Sequence, residues 1–276
     1  MKPANFLYSC PKSIEEAVSI LSSNKEDAKI IAGGQSLLAM LNMRLLSPKI
    51  IIDIKNIKTL NKINNTKEGL WIGANTTQQE LLEFEDLSSI SPLVSKMLPW
   101  VGHYQTRNKG TICGSIAHAD PSSEIPLCIA LLDGKIKLVS HNEERILPAR
   151  EFYKGLFSTA TRPDEMIQSV LFPRLDNVVG VAFNEFSFRQ GDFSIVSVGV
   201  VCGSDEITFG LTGLTDKPYI TVFPILTEDE LEDALNDLAW KLKGVDDYIA
   251  PANYRRNLLR EIGKTTIKEA MQCRTK

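Results

Sequence analysis

Apolar and polar positions alternate between two periods along the first 170 residues. Ile14, Val18 and Leu21 recur at helical spacing, and Ser13 with Glu16 forms the start signal of a capping box. Lys29 to Ala32 reads as a short buried strand. Gly33-Gly34 interrupts it, and Gln35 to Leu46 has the composition of a helix that Pro48 ends. Ile50 to Ile54 gives the next strand, completing a strand–turn–helix–strand unit. Trp71 to Ala74 predicts another strand. Thr77 with Glu80 caps a further helix, and Ser91-Pro92 opens one more. Thr106 to Pro121 breaks the rhythm. It is polar and punctuated by glycine, and is expected to be a long irregular connection with a functional task. A helix over Ser123 to Leu132 and a strand over Lys135 to Ser140 follow.

Near Pro173 the period shifts towards two. Strands are predicted over Phe183 to Phe188, Ser194 to Cys202 and Ile207 to Leu214, as an antiparallel sheet with short turns. Two helices close the chain. Thr227 with Glu230 caps the first, whose apolar stripe is Leu231, Leu235, Leu238 and Leu242; the last spans Ala252 to Met271. A boundary is expected near residue 175.

Composition narrows the function classes. The 276 residues are 43% hydrophobic and 24% charged, as in ordinary globular proteins. A net charge of −3 gives no electrostatic reason for a nucleic-acid or anionic-membrane partner. No apolar run approaches the roughly 18 residues of a membrane span. The first residues lack the apolar region of a signal peptide, and a cytoplasmic location is expected. Five scattered cysteines without a Cys-x-x-Cys pair predict no iron–sulfur or zinc site; most should be small buried apolar residues. No metal-binding residue is expected.

The candidate chemistry lies in two glycine loops. Ala32-Gly33-Gly34-Gln35-Ser36-Leu37 follows a strand and precedes a helix, where unsatisfied backbone N–H groups and the helix dipole suit a phosphate. Glycine lets the backbone approach phosphate oxygens closely. A plain tight turn explains the same residues. Arg107-Asn108-Lys109-Gly110-Thr111-Ile112-Cys113-Gly114-Ser115 offers glycines, hydroxyls and cations, and again an anion site or a solvated surface loop fits. Together the two loops could grip a diphosphate from two sides. The chain has no Gly-x-Gly-x-x-Gly dinucleotide fingerprint, no P-loop and no Gly-x-Ser-x-Gly elbow.

At these loops the sequence resembles the FAD-binding medium subunit of aerobic carbon monoxide dehydrogenase and its xanthine dehydrogenase relatives. The similarity rests on the two loops, on Ala117-His118-Ala119-Asp120-Pro121, Pro163-Asp164-Glu165-Met166-Ile167 and Arg189-Gln190-Gly191-Asp192-Phe193, and on Gly213 to Pro218, all in the family's order. It implies an α+β chain: a two-subdomain FAD-binding fold of the vanillyl-alcohol-oxidase (PCMH) type over residues 1–175, split near residue 56. A small C-terminal α+β domain of the carbon monoxide dehydrogenase flavoprotein type, with an antiparallel sheet and helices, would occupy 176–276.

The resemblance also implies site residues. Lys29, Ile30, Ile31, Ala32, Gly33, Gly34, Gln35, Ser36 and Leu37, with Gly110, Thr111, Gly114 and Ser115, would hold the FAD diphosphate. Glu124 would lie near the ribose or adenine end, and the Ile167 backbone would meet the flavin ring. His118 and Asp120 would be a hydrogen-bonded structural pair or a flavin-adjacent one. Glu185 falls where many relatives carry a lysine, which reverses the charge of that contact. Cys113 replaces a usual glycine; it requires negative φ, and its thiol is expected to be redox-sensitive. FAD would be bound without a covalent link.

The implied role is electron relay. A large molybdopterin subunit oxidises substrate, a small subunit carries [2Fe–2S] clusters, and this chain passes electrons through FAD to an external acceptor, within a dimer of heterotrimers. No side chain need be catalytic. Trp100, Tyr104 and Phe193 are candidates for a docking face, with core packing the simpler home of each. A self-sufficient FAD-dependent oxidoreductase of the same fold and a non-catalytic assembly subunit are the competing readings.

Overall fold

The computed structural model describes residues 2–175 and 179–274. The start of the expected C-terminal domain at residue 176 lies outside the described residues. Three larger sheets, a two-stranded one and the helices between them make up the described residues.

The first sheet is parallel: β1 (Leu7–Ser9), β2 (Ala28–Ile31) and β3 (Ile50–Asp53), in the order β1-β3-β2. Helix Ile14–Asn24 connects β1 to β2 and buries Ala17, Val18 and Leu21. Ser13 caps it by accepting the Glu16 N–H at 3.2 Å. The expected reciprocal bond goes one residue further back, because the Glu16 carboxylate accepts the Lys12 N–H. The predicted buried strand is an edge strand, and only Ala28 of β2 is buried. Its open edge is free to form the wall of a cleft. The helix expected over Gln35 to Leu46 is cut to Leu37–Asn42; at Arg44 the backbone turns left-handed with φ +57°.

The second sheet is antiparallel. It holds β4 (Ile63–Asn65), β5 (Gly69–Gly73), β6 (Lys135–Val139) and β7 (Glu144–Pro148). A small hairpin, β8 (Tyr153–Gly155) and β9 (Ser158–Thr159), leads to β10 (Met166–Pro173), the central strand in the order β4-β5-β10-β6-β7. The stretch expected to be irregular is largely helical. Helix Tyr104–Arg107 is followed by helix Ile112–His118, which buries Ile112, Cys113 and Ile116. Thr111 caps the latter by accepting the Gly114 N–H at 2.9 Å, and Ala119 ends it at φ +53°. Poor helix formers hid this element: Cys113, Gly114 and Ser115 sit in its middle.

The third sheet is an antiparallel meander, β11 (Gly180–Phe186), β12 (Val196–Cys202), β13 (Glu206–Thr212) and β14 (Tyr219–Pro224). Helices Glu228–Leu242 and Ala252–Cys273 accompany it, with Leu231, Leu235 and Leu238 buried. The expected capping interaction is present: Glu230 accepts the Thr227 N–H at 2.8 Å.

Helix Glu124–Leu131 ties the second and third sheets together, and all eight of its residues are buried. It packs against β12 and β13, where Gly199 and Gly210 stand opposite each other. A Cβ at Gly199 would lie 2.8 Å from the Leu131 side chain, and one at Gly210 3.0 Å from that of Leu127. The two glycines form a notch that receives these leucines.

Candidate functional site

A cleft of about 1010 Å³ opens between β2, the two glycine loops, helix Ile112–His118, β10 and the turn before β12. It lies at the large end of ligand pockets. The whole run from Lys29 to Leu37 lines it, as do Gly110, Thr111, Gly114, Ser115, His118, Asp120, Glu124 and Ile167. Sequence positions far apart therefore meet on one surface.

The two loops touch. A Cβ at Gly33 would lie 1.9 Å from the Lys109 carbonyl oxygen and 2.9 Å from the Gly110 Cα, so no side chain fits there. Gly34 has φ +73°, a region that favours glycine. Among the described residues, the backbone N–H groups of Gly33, Gly34, Gln35 and Ser36 donate to no other backbone group. The Ser36 hydroxyl is not spent on capping either. The second loop is clamped from behind: the Gln78 N–H donates to the Gly110 carbonyl at 2.9 Å, and the Ile112 N–H to the Thr76 carbonyl. The uncommitted peptide donors, suited to anionic oxygens, are those of the first loop; in the second, the Gly110 N–H is given to the Thr106 carbonyl, the Ser115 N–H to the Thr111 carbonyl and the Gly114 N–H to the Thr111 hydroxyl. The helices behind the two loops have six and seven residues, so their dipoles contribute little beyond those N–H groups.

The cations of the second loop do not serve the cleft. The Arg107 guanidinium donates to the Val101 and Gly102 carbonyls and to Gln79, pinning the 101–102 turn. Against that turn packs Gly191 at φ +88°, where a Cβ would lie 2.5 Å from His103 Nδ1. Gly191, Asp192 and Phe193 thereby bring the third sheet's approach loop into the cleft wall. Tyr104 and Phe193 are 61% and 67% exposed, so core packing is not their role. Trp100 is partly buried against the core.

His118 and Asp120 make no hydrogen-bonded pair. Asp120 accepts the Ser122 N–H at 2.8 Å, while the His118 ring packs on Phe157 with centroids 5.0 Å apart. Burial lowers the His118 pKa, and the Asp120 charge only partly opposes this. Ile167 reaches the cleft beside a β-bulge between Ile167 and Ser169.

Cys113 sits in a helix at negative φ, as the substitution requires. Burial pushes its thiol far up, and it points to the Ile72 carbonyl. That keeps it as an inert thiol and corrects the expectation of redox sensitivity.

Glu185 is also corrected. It is absent from the cleft walls and buried on β11, accepting from the Ser197 hydroxyl at 3.3 Å. Its pKa is pushed up to about 8 by burial and by the charge of Glu124, with Ser197 opposing. Glu124, which does line the cleft, is pushed up to about 7, mainly by burial and then by Asp120. Its own N–H and Ser123 pull the other way.

Sequence reasoning missed the far rim: Phe157, Thr159, Thr161 and Arg162. Only the neighbouring Pro163-to-Ile167 motif could have signalled them. There Arg145 grips Glu165 with bonds of 2.6 and 2.7 Å and also donates to the Ala160 carbonyl, bracing this strip.

Known proteins share this architecture. A family model described as the FAD binding domain in molybdopterin dehydrogenase matches residues 4–175. The chain is 33% identical to the 6-hydroxypseudooxynicotine dehydrogenase complex subunit alpha of Paenarthrobacter nicotinovorans, covering 98% of this chain and 96% of that protein. It is 31% identical to the glyceraldehyde dehydrogenase medium chain of Sulfolobus acidocaldarius, covering 98% and 99%. A solved carbon monoxide dehydrogenase of Hydrogenophaga pseudoflava superposes with a TM-score of 0.94 at 26% identity, covering both chains fully.

Proposed function

The chain belongs to the family of FAD-binding domains of molybdopterin dehydrogenases, and from that premise we propose that its cleft seats FAD without a covalent bond. It is the FAD-carrying oxidoreductase subunit of a molybdenum hydroxylase complex, and its fold is the α+β FAD-binding fold of the PCMH type. The single observation that supports the cofactor assignment is the meeting of Gly33 with Lys109 and Gly110, which sets the first loop's uncommitted peptide donors in the wall of one cleft. FAD is a dinucleotide whose diphosphate needs such donors.

In this reading Gly33, Gly34, Gln35, Ser36, Gly110, Thr111, Gly114 and Ser115 hold the diphosphate. Lys29 to Ala32, Leu37, His118, Asp120, Glu124 and Ile167 shape the rest of the cleft. Bound FAD supplies the electron transfer; the protein orients it and excludes water. Electrons arrive from [2Fe–2S] clusters on a small partner and originate at a molybdopterin centre on a large one. The complex assembles as a dimer of heterotrimers in the cytoplasm. Residues 1–175, with a division near 56, form the FAD-binding part, and 176–276 the C-terminal part.

Purification of the full chain, alone and co-expressed with its partner subunits, tests the assignment by visible absorption. Flavin bands that vanish on acid or heat extraction into the supernatant are expected. Preparations free of flavin in both cases, and unable to take up added FAD, would overturn it.

A further inference from the structure

The second loop commits the N–H groups of Gly110, Gly114 and Ser115 to its own turns. An anion held from that side therefore needs a donor from elsewhere, and Gln78 stands at the place. Thr77 pairs with Thr111 as an isolated antiparallel bridge, and the Gln78 N–H donates to the Gly110 carbonyl at 2.9 Å. These bonds fix the Gln78 backbone to the loop. Its side chain lines the cleft although the residue is only 6% exposed.

The Gln78 carboxamide lies flat against Gly110. A Cβ on Gly110 would stand 3.1 Å from Nε2, 3.1 Å from Oε1 and 3.2 Å from Cδ, and these are its three nearest atoms. Gly110 is not among the glycines at positive φ. Its missing side chain therefore makes room for this amide and not for a turn. The next residue, Gln79, uses its amide fully: it donates to Glu83 and accepts from Arg107. Gln78 does neither, and its Oε1 is buried without any partner. A buried amide left unpaired costs stability, and such a group in a folded chain needs a reason.

We propose that Gln78 is a cofactor-binding residue whose carboxamide N–H donates to an oxygen of the FAD diphosphate, supplying from the second loop's side what the free peptide N–H groups supply from the first. The inference rests on the FAD reading above. A diphosphate oxygen is charged, so this bond is stronger than one between neutral groups. The unpaired amide is then a cost to the flavin-free chain that cofactor binding offsets.

Gln78→Met keeps the unbranched length and removes both polar atoms. In the full chain its dissociation constant for FAD, read by flavin fluorescence, should rise about tenfold or more, because one bond to a charged acceptor is lost. The thermal midpoint of the flavin-free chain should stay level or rise, because an unpaired oxygen leaves the interior. A merely structural glutamine would lower midpoint and affinity together. Gln78→Glu places a carboxylate against the diphosphate and should bind FAD more weakly than Gln78→Met, with the difference shrinking as salt rises.

Gly110→Ala is an independent route, and the deciding variant should Gln78→Met not fold. Its Cβ strikes the amide, so it should weaken FAD binding in the presence of Gln78 and add little in the double variant with Gln78→Met. Wild-type affinity in Gln78→Met or in Gln78→Glu overturns the proposal. So does a midpoint that falls with the affinity, or full additivity of the two substitutions. A wild type that takes up no FAD sinks the cofactor reading itself, and does so before any variant is compared.

Discussion

Gly33 and the Lys109 carbonyl oxygen are so close that a Cβ on Gly33 would stand 1.9 Å from that oxygen. Backbone meets backbone here, and neither side can move as a flexible side chain would. Gly33→Ala must therefore push the two loops apart. Overpacking of this kind costs about 1–3 kcal/mol, and the donors lose their common focus. A weakening of FAD binding by at least about tenfold is expected, since 1.4 kcal/mol is one decade. Fluorescence titration reads it, and wild-type affinity in the alanine variant would contradict the cradle.

Gly199 receives Leu131 in the notch at the third sheet, with a Cβ position 2.8 Å from that side chain. Gly199→Val should destabilise the chain by about 1–3 kcal/mol. That lowers the thermal midpoint by roughly 2–4 °C per kcal/mol. Pairing it with Leu131→Ala should return part of the loss, which a double-mutant cycle by calorimetry will show.

Glu165 has opposing influences. Burial raises its pKa, but bonds from Arg145 and the Arg162 N–H, with the charges of both arginines, bring it below the ordinary value. A folded-state pKa below the unfolded one stabilises the fold above the unfolded pKa. That contribution is lost as pH falls below about 4.3 towards the folded value. Acid unfolding followed by circular dichroism should show this loss in the wild type and not in Glu165→Gln. Arg145→Met, which leaves the carboxylate only the Arg162 N–H and charge, should cost about 1–3 kcal/mol at neutral pH.

Cys113 and Cys273 differ in exposure and should differ in reactivity. Burial keeps the Cys113 thiol protonated, whereas Cys273 is exposed. Alkylation of the native chain at neutral pH, mapped by mass spectrometry, should label Cys273 and leave Cys113 unmodified. Early labelling of Cys113 would contradict its buried, inert placement.

Local rules made most elements readable in advance. Thr77 and Thr227 announced their helices because both capping partners lie within one turn, and the stripe Leu231–Leu235–Leu238 keeps a single period. Helix Ile112–His118 escaped because Thr111 and the surrounding core, not propensity, hold it. In the cleft, the glycine loops were legible as phosphate-binding candidates. Their mutual contact was not, since nothing local links Gly33 to Gly110. Glu185 misled for a related reason: a motif gives a residue's place along the strand, whereas its burial, with Oε2 on the Ser197 hydroxyl, depends on how β11 pairs with β12.

Helix Glu124–Leu131 begins in the cleft and finishes with Leu131 seated between Gly199 and Gly210. A protease nick or an engineered split near residue 175 would not yield a free-standing flavin module. The amino-terminal fragment would present Leu127 and Leu131 to water, and the carboxy-terminal fragment an empty groove. The two fragments are expected to aggregate separately and to regain solubility only when refolded together.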